Sequence, residues 1–134
     1  MKTTKIVSFV LAATIASVSL SGTALAKKTK LQTNCASCHA LATGASEKGK
    51  KGPNLVGIIG RKAGTVAGFT KYKAMKGADF VWTEDLMDEW IANQRKFLKA
   101  HGEEFKLGKK TTMAKKVKKE KTRKQIIEDL KNIK

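Results

Sequence analysis

Cys35, Cys38 and His39 stand together in the stretch TNCASCHALATG, and they include the only two cysteines of the 134 residues. Two thiols separated by two residues and followed directly by an imidazole admit four chemistries: a disulfide, part of a zinc site, a redox dithiol, or the attachment point of a cofactor. A disulfide at this spacing closes too small a ring to add much to folding stability. Zinc wants about four ligands, and His101 is the one other histidine, so the set available is Cys35, Cys38, His39 and His101. A thioredoxin-like pair belongs in a βαβ setting, and the chain shows no strand patterning. The fourth chemistry is covalent haem. Two thiols on one helical turn can add across the two vinyl groups, and the next residue, His39, then lies beneath the iron as an axial ligand.

An iron held by His39 needs a second donor on its other face, or keeps an open site. Met75, Met87, Met113, His101 and the lysines are the candidates. Met87 falls on the apolar face of an expected helix, where packing is its ordinary work. Met75 sits in YKAMKG with no helical face to place it. Met113 lies in KKTTMAKK, a polar stretch where a lone thioether has no packing reason to be. That misfit favours ligation by Met113, because a soft sulfur donor suits iron and raises its reduction potential.

The N-terminus, residues 1–26, reads as a secretory signal peptide. It has Lys2 and Lys5, an apolar run from Ile6 to Leu20, and a small-x-small close at Ala24-Leu25-Ala26. The apolar run falls short of the roughly 20 residues a spanning helix needs. Residues 27–134 then form one domain. Export places the cysteines in an oxidising compartment, and a small, lysine-rich chain with few aromatics needs help to build a core. Without Lys2 and Lys5, 26 basic residues face 11 acidic ones, a net charge of about +15. Such a field favours anionic surfaces. An exported chain meets little nucleic acid, so acidic proteins or a membrane face are the expected partners.

The elements that position the site are read as all-α with long loops. Leu31, Cys35, Cys38 and Leu41 have helical spacing and predict a short first helix. The glycines at 44, 49, 52, 57, 60 and 64 predict loop and turn. TEDLMDEWIANQ predicts a helix capped by Thr83, with Glu84 and Asp85 in the first turn and Met87, Trp90 and Ile91 on one face. HGEEFKLGKK reads as irregular. A last helix is expected from Thr122, with Gln125 completing a capping box and Ile126, Ile127, Leu130 and Ile133 as its buried stripe.

CASCH, GPNLVGIIGRKAG, VWTEDL and TTM occur in the order found in class I cytochromes c of the mitochondrial type. The segment FLKAHGEEFKLGKK resembles bacterial periplasmic members with an extended distal loop, and the likeness runs over residues 31–134. The resemblance implies a class I cytochrome c fold, a few short helices and long loops around one covalent haem c. It implies thioethers at Cys35 and Cys38, with His39 and Met113 as the axial ligands. Pro53 matches the proline whose carbonyl holds the proximal imidazole. Arg61, Tyr72, Trp82 and Thr111 match positions that hydrogen-bond or screen the haem propionates. Trp90 stands where the family has a tyrosine near the distal methionine, Gln94 where it has a proline, and Lys115 where it has a phenylalanine. The glycine and aromatic of the N-terminal helix are missing, with Leu31 in the aromatic's place. These departures predict a weaker contact between the terminal helices and a distal loop that opens more readily.

With both axial positions filled, the expected function is one-electron transfer, not catalysis, by a monomeric periplasmic carrier. Between Lys106 and Lys124, ten basic residues and one acidic residue, Glu120, bracket Met113. This run predicts docking on acidic faces of membrane redox complexes. The resemblance suggests a cytochrome complex as donor and an oxidase, reductase or photosynthetic reaction centre as acceptor, with transient membrane-surface association. The competing readings are a haem-based ligand binder or peroxidase-like protein with an open distal side, kept alive by Lys115, and a polycationic binding protein without cofactor.

Overall fold

The structure is a computed structural model that describes residue 22 and residues 25–134. The leader expected over residues 1–26 lies outside the described residues except at Gly22, Leu25 and Ala26. Helix α1 (Lys30–Cys35) starts on a capping box that the sequence reading did not anticipate. The Thr29 hydroxyl accepts from Gln32 N–H at 3.1 Å, and the Gln32 side chain accepts from Thr29 N–H at 2.9 Å. Two of the four orphan donors of this short helix are thereby satisfied. Helix α2 (Glu84–Ala92) has the expected cap, with the Thr83 hydroxyl accepting from Leu86 N–H at 3.2 Å, and it buries Met87, Trp90 and Ile91.

Two helices differ from expectation. Helix α3 (Gln94–His101) occupies the start of what was read as extended loop. Asn93 closes α2 with extended backbone and caps α3, accepting from Lys96 N–H at 3.3 Å. Only Gln94 and Phe97 of α3 are buried, too few to print an apolar stripe at helical spacing. Helix α4 (Glu120–Asn132) begins before Thr122 and has no side-chain cap. Its first turn is placed by a distant tie. Arg123 donates to Asp88 of α2 at 2.8 Å and to the carbonyls of Val117 and Lys118 at 3.2 and 2.8 Å. The Arg123 charge is held on by that carboxylate.

Helix α4 packs on both α1 and α2, and α3 packs on α2. Leu31 is wholly buried in one core with Ile126, Ile127 and Leu130. Asp129 adds a polar tie, accepting from Leu31 N–H at 3.1 Å. These residues make the contact between the terminal helices where the family's aromatic is missing. No strand forms among the described residues, only an isolated bridge between Lys62 and Val81. The stretch between α1 and α2 is loop and turn, as its glycines foretell, and adds Leu55, Ile58, Phe80 and Trp82 to the same core. Gly64 is one that the fold requires: its φ is +73°, and a Cβ there would run into the Met75 carbonyl.

Candidate functional site

A cavity of about 470 Å³ opens between the turn after α1, the 51–75 loops, α2 and the 111–115 segment. Cys35, Cys38, His39, Pro53, Arg61, Tyr72, Trp82, Thr111 and Met113 all line it, so every site residue named from the sequence meets at one place. His101, the remaining histidine, lies elsewhere. It bonds Glu89 at 2.8 Å and stacks on Phe105 with ring centroids 4.9 Å apart. The zinc set that required His101 is therefore not assembled, and no group of three or more metal-binding side chains of the His/Cys/Asp/Glu kind occurs among the described residues.

The proximal side is built by a tight turn. Cys38 and His39 N–H groups both donate to the Cys35 carbonyl, at 3.1 and 3.0 Å. Gly52 N–H donates to the Cys38 carbonyl at 2.9 Å and brings the following residue, Pro53, against the imidazole. His39 Nδ1 lies 2.7 Å from the Pro53 carbonyl oxygen. A carbonyl can only accept, so Nδ1 carries the proton and Nε2 keeps its lone pair. Burial pushes the His39 pKa down, the bond to Pro53 opposes that, and Lys50 adds to the lowering. The neutral imidazole is the form that ligates a metal. Gly52 has room for no side chain: a Cβ there would lie 2.6 Å from His39 Nδ1 and 2.8 Å from Nε2.

Cys35 and Cys38 are not bridged to each other. Burial raises the Cys35 thiol to about 11, with Lys115 pulling it back and Cys38 adding to the rise.

On the far side, Trp90 is 7 % exposed and its indole N–H donates to Met113 Sδ at 3.1 Å. The Met113 N–H donates to the Thr111 hydroxyl at 3.1 Å. Met75 and Met87 are buried and line the same cavity, but Met113 is the thioether that a side-chain donor holds. Arg61 is occupied by its own loop, its guanidinium donating to the carbonyls of Val56 and Asn54 at 2.9 Å each. Burial lowers its pKa against the pull of Tyr72 and Glu47. Tyr72 accepts from Val66 N–H at 3.1 Å and keeps its hydroxyl proton to donate; burial raises its pKa. Trp82 packs edge-on to Phe80, with centroids 4.7 Å apart, and screens the cavity floor.

Sequence reasoning missed the close approach of Gly52, the Met75 wall and the Lys115 side chain at the cavity rim. Only the glycine-proline step hinted at the first. The residues present fit a covalent haem. Two thiols one turn apart, a neutral imidazole with a free Nε2 and a restrained thioether share one cavity within the size range of cofactor sites.

No family model matches the chain. It is 38% identical over 84 residues to a cytochrome c of Arabidopsis thaliana, covering 63% of this chain and 73% of that protein. It is 35% identical over 77 residues to a cytochrome c of Guizotia abyssinica, covering 58% and 68%. Among solved structures it resembles ferricytochrome c2 from Rhodopseudomonas palustris, with a TM-score of 0.64, 32% identity and coverage of 78% of this chain and 93% of that one. Cytochrome c2 from Rhodobacter capsulatus gives a TM-score of 0.59 at 30% identity, covering 75% and 90%. With that identity spread over most of the relatives' length, and with the helical fold they share, the chain belongs to the cytochrome c family.

Proposed function

We propose that the chain is a monomeric periplasmic electron carrier, with thioether bonds at Cys35 and Cys38 and axial ligation by His39 and Met113. As a cytochrome c it carries one covalently attached haem c, which supplies an iron that takes up and gives one electron between its ferric and ferrous states. The single observation that carries the reading is the pairing across one cavity of two restrained donors. Pro53 fixes the His39 tautomer from one side, and Trp90 holds the Met113 sulfur on the other.

Each chain residue then has a defined task. The Pro53 carbonyl, by accepting the hydrogen bond from Nδ1–H, makes His39 a better donor and fixes its ring. Trp90 donates to the sulfur and keeps the thioether turned into the cavity. Tyr72 and Thr111 would offer hydroxyls, and Arg61 a half-buried positive charge, to the acidic edge of the cofactor. Met75, Trp82 and Met87 exclude water. With His39 and Met113 both holding the iron, the haem would supply one-electron transfer and would offer no open position to a substrate. Lys109, Lys110, Lys115 and Lys116 are exposed on either side of Met113. Their charge steers docking onto acidic faces of membrane complexes, with an on-rate that falls as salt screens it. A donor cytochrome complex and an oxidase, reductase or reaction centre as acceptor fit this chemistry. The signal peptide read over residues 1–26 supports export.

The test is the ferric visible spectrum of the exported holoprotein. A weak far-red sulfur-to-iron band is expected, and Met113→Ala should abolish it. A Met113→Ala spectrum identical to that of the parent protein refutes Met113 as ligand.

A further inference from the structure

The segment that carries Met113 is tied to the junction of α2 and α3 at residues 113, 115 and 117. Met113 receives the indole N–H of Trp90 at 3.1 Å. Two residues on, the Lys115 carbonyl accepts from Gln94 Nε2 at 2.8 Å. Two further on, Val117 N–H donates to the Ile91 carbonyl at 2.9 Å. Between these ties Thr112, Ala114, Lys115 and Lys116 are exposed.

Of these ties, Gln94 has the least ordinary chemistry. It is 1 % exposed and stands with Phe97, Leu31 and Ile126 as the largest fully buried side chains among the described residues. Its Oε1 is buried and accepts no hydrogen bond among the described residues. A half-paired buried amide is a liability that an apolar side chain of the same length avoids. The paired half does one thing: it grips the backbone two residues beyond Met113. Because Gln94 also opens α3, directly after the Asn93 break, its amide bridges the helix junction to the ligand-bearing segment.

We infer that Gln94 is a positioning residue, a clamp that holds Met113 in the cavity and sets how often the distal segment opens to outside ligands. The inference rests on Met113 being the axial ligand. It assigns the clamp to a side chain standing where the family pattern has a proline, which has no side-chain donor.

The experiment measures entry of imidazole into the ferric holoprotein, together with amide hydrogen exchange at Val117. Gln94→Met keeps side-chain length while removing both the donor and the unpaired oxygen. Global stability should therefore hold or rise, yet imidazole entry should accelerate by roughly fivefold or more, the loss of one hydrogen bond, and Val117 should exchange faster. Asp129→Ala, which loosens the distant contact of α1 with α4, serves as the comparison and should leave imidazole entry near the parent rate. Unchanged entry in Gln94→Met, or equal acceleration in Asp129→Ala, overturns the clamp. Should Gln94→Met fail to fold, the parent protein still decides: the Gln94 side-chain amide protons should exchange slowly, and fast exchange refutes the grip. Met113→Ala separates the two ideas. If it alters the spectrum while Gln94→Met alters nothing, only the clamp falls; if it alters nothing, the ligand assignment falls and takes the clamp with it.

Discussion

Gly52→Ala puts one methyl group against the imidazole that the site depends on. The backbone there tolerates alanine, since Gly52 has no left-handed φ, so the cost in the folded state is steric. The added Cβ would stand 2.6 Å from His39 Nδ1 and 2.8 Å from Nε2, whereas ordinary carbon contacts need about 3.5–4.0 Å. The ring must therefore retreat by about an ångström, or residues 52–53 must swing away. Either movement breaks the 2.7 Å bond from Nδ1 to the Pro53 carbonyl, a loss of about 1 kcal/mol, on top of about 1–3 kcal/mol for overpacking. Alanine's stiffer unfolded chain returns only about 0.4–1 kcal/mol. A net destabilisation of roughly 1–3 kcal/mol is expected, read as a lower denaturant midpoint of the holoprotein with unchanged slope. The ferric spectrum should shift as well, because the displaced ring changes its approach to the iron. A variant with the parent midpoint and the parent spectrum would refute the claim that Gly52 is there to admit His39.

Asp129→Ala removes the acceptor of the Leu31 N–H and should lower stability by about 1 kcal/mol, seen in denaturant melts, with the haem spectrum unaltered. Asp79 is exposed and held below the ordinary carboxylate range by hydrogen bonds from Lys62 and Lys106. Its folded pKa lies under its unfolded one, so the stabilisation is present above the unfolded value and is lost as pH falls through the folded value. Carboxyl titration followed by NMR should show the depression, and Lys62→Ala with Lys106→Ala should return Asp79 to the ordinary range. Lys115→Glu with Lys116→Glu should slow electron transfer to an acidic redox partner at low salt and leave the high-salt rate nearly alone; equal rates at low salt would refute docking through this face.

The parts of this site that the sequence makes legible are those whose geometry is local. Cys35, Cys38 and His39 share one turn, so their spacing alone states what they can hold. Thr83, the two acids after it and the stripe of Met87, Trp90 and Ile91 write out α2 in the same way. Illegible parts depend on partners far along the chain. Helix α3 has one deep apolar anchor, Phe97, whose meaning appears only when Trp82, Trp90 and Phe105 surround it. Helix α4 starts early because Arg123 reaches Asp88, thirty-five residues back. Gln94 shows the limit most clearly. Its departure from the family pattern is visible in the sequence, but the consequence first expected from it, a looser distal loop, ignores what an amide can grip. A proline at that position restrains its own backbone and donates nothing. A glutamine restrains another segment, twenty-one residues on. The same substitution that removes a local constraint can therefore add a distant one, and which of the two governs the opening of the Met113 segment is a matter of rates that imidazole entry measures directly.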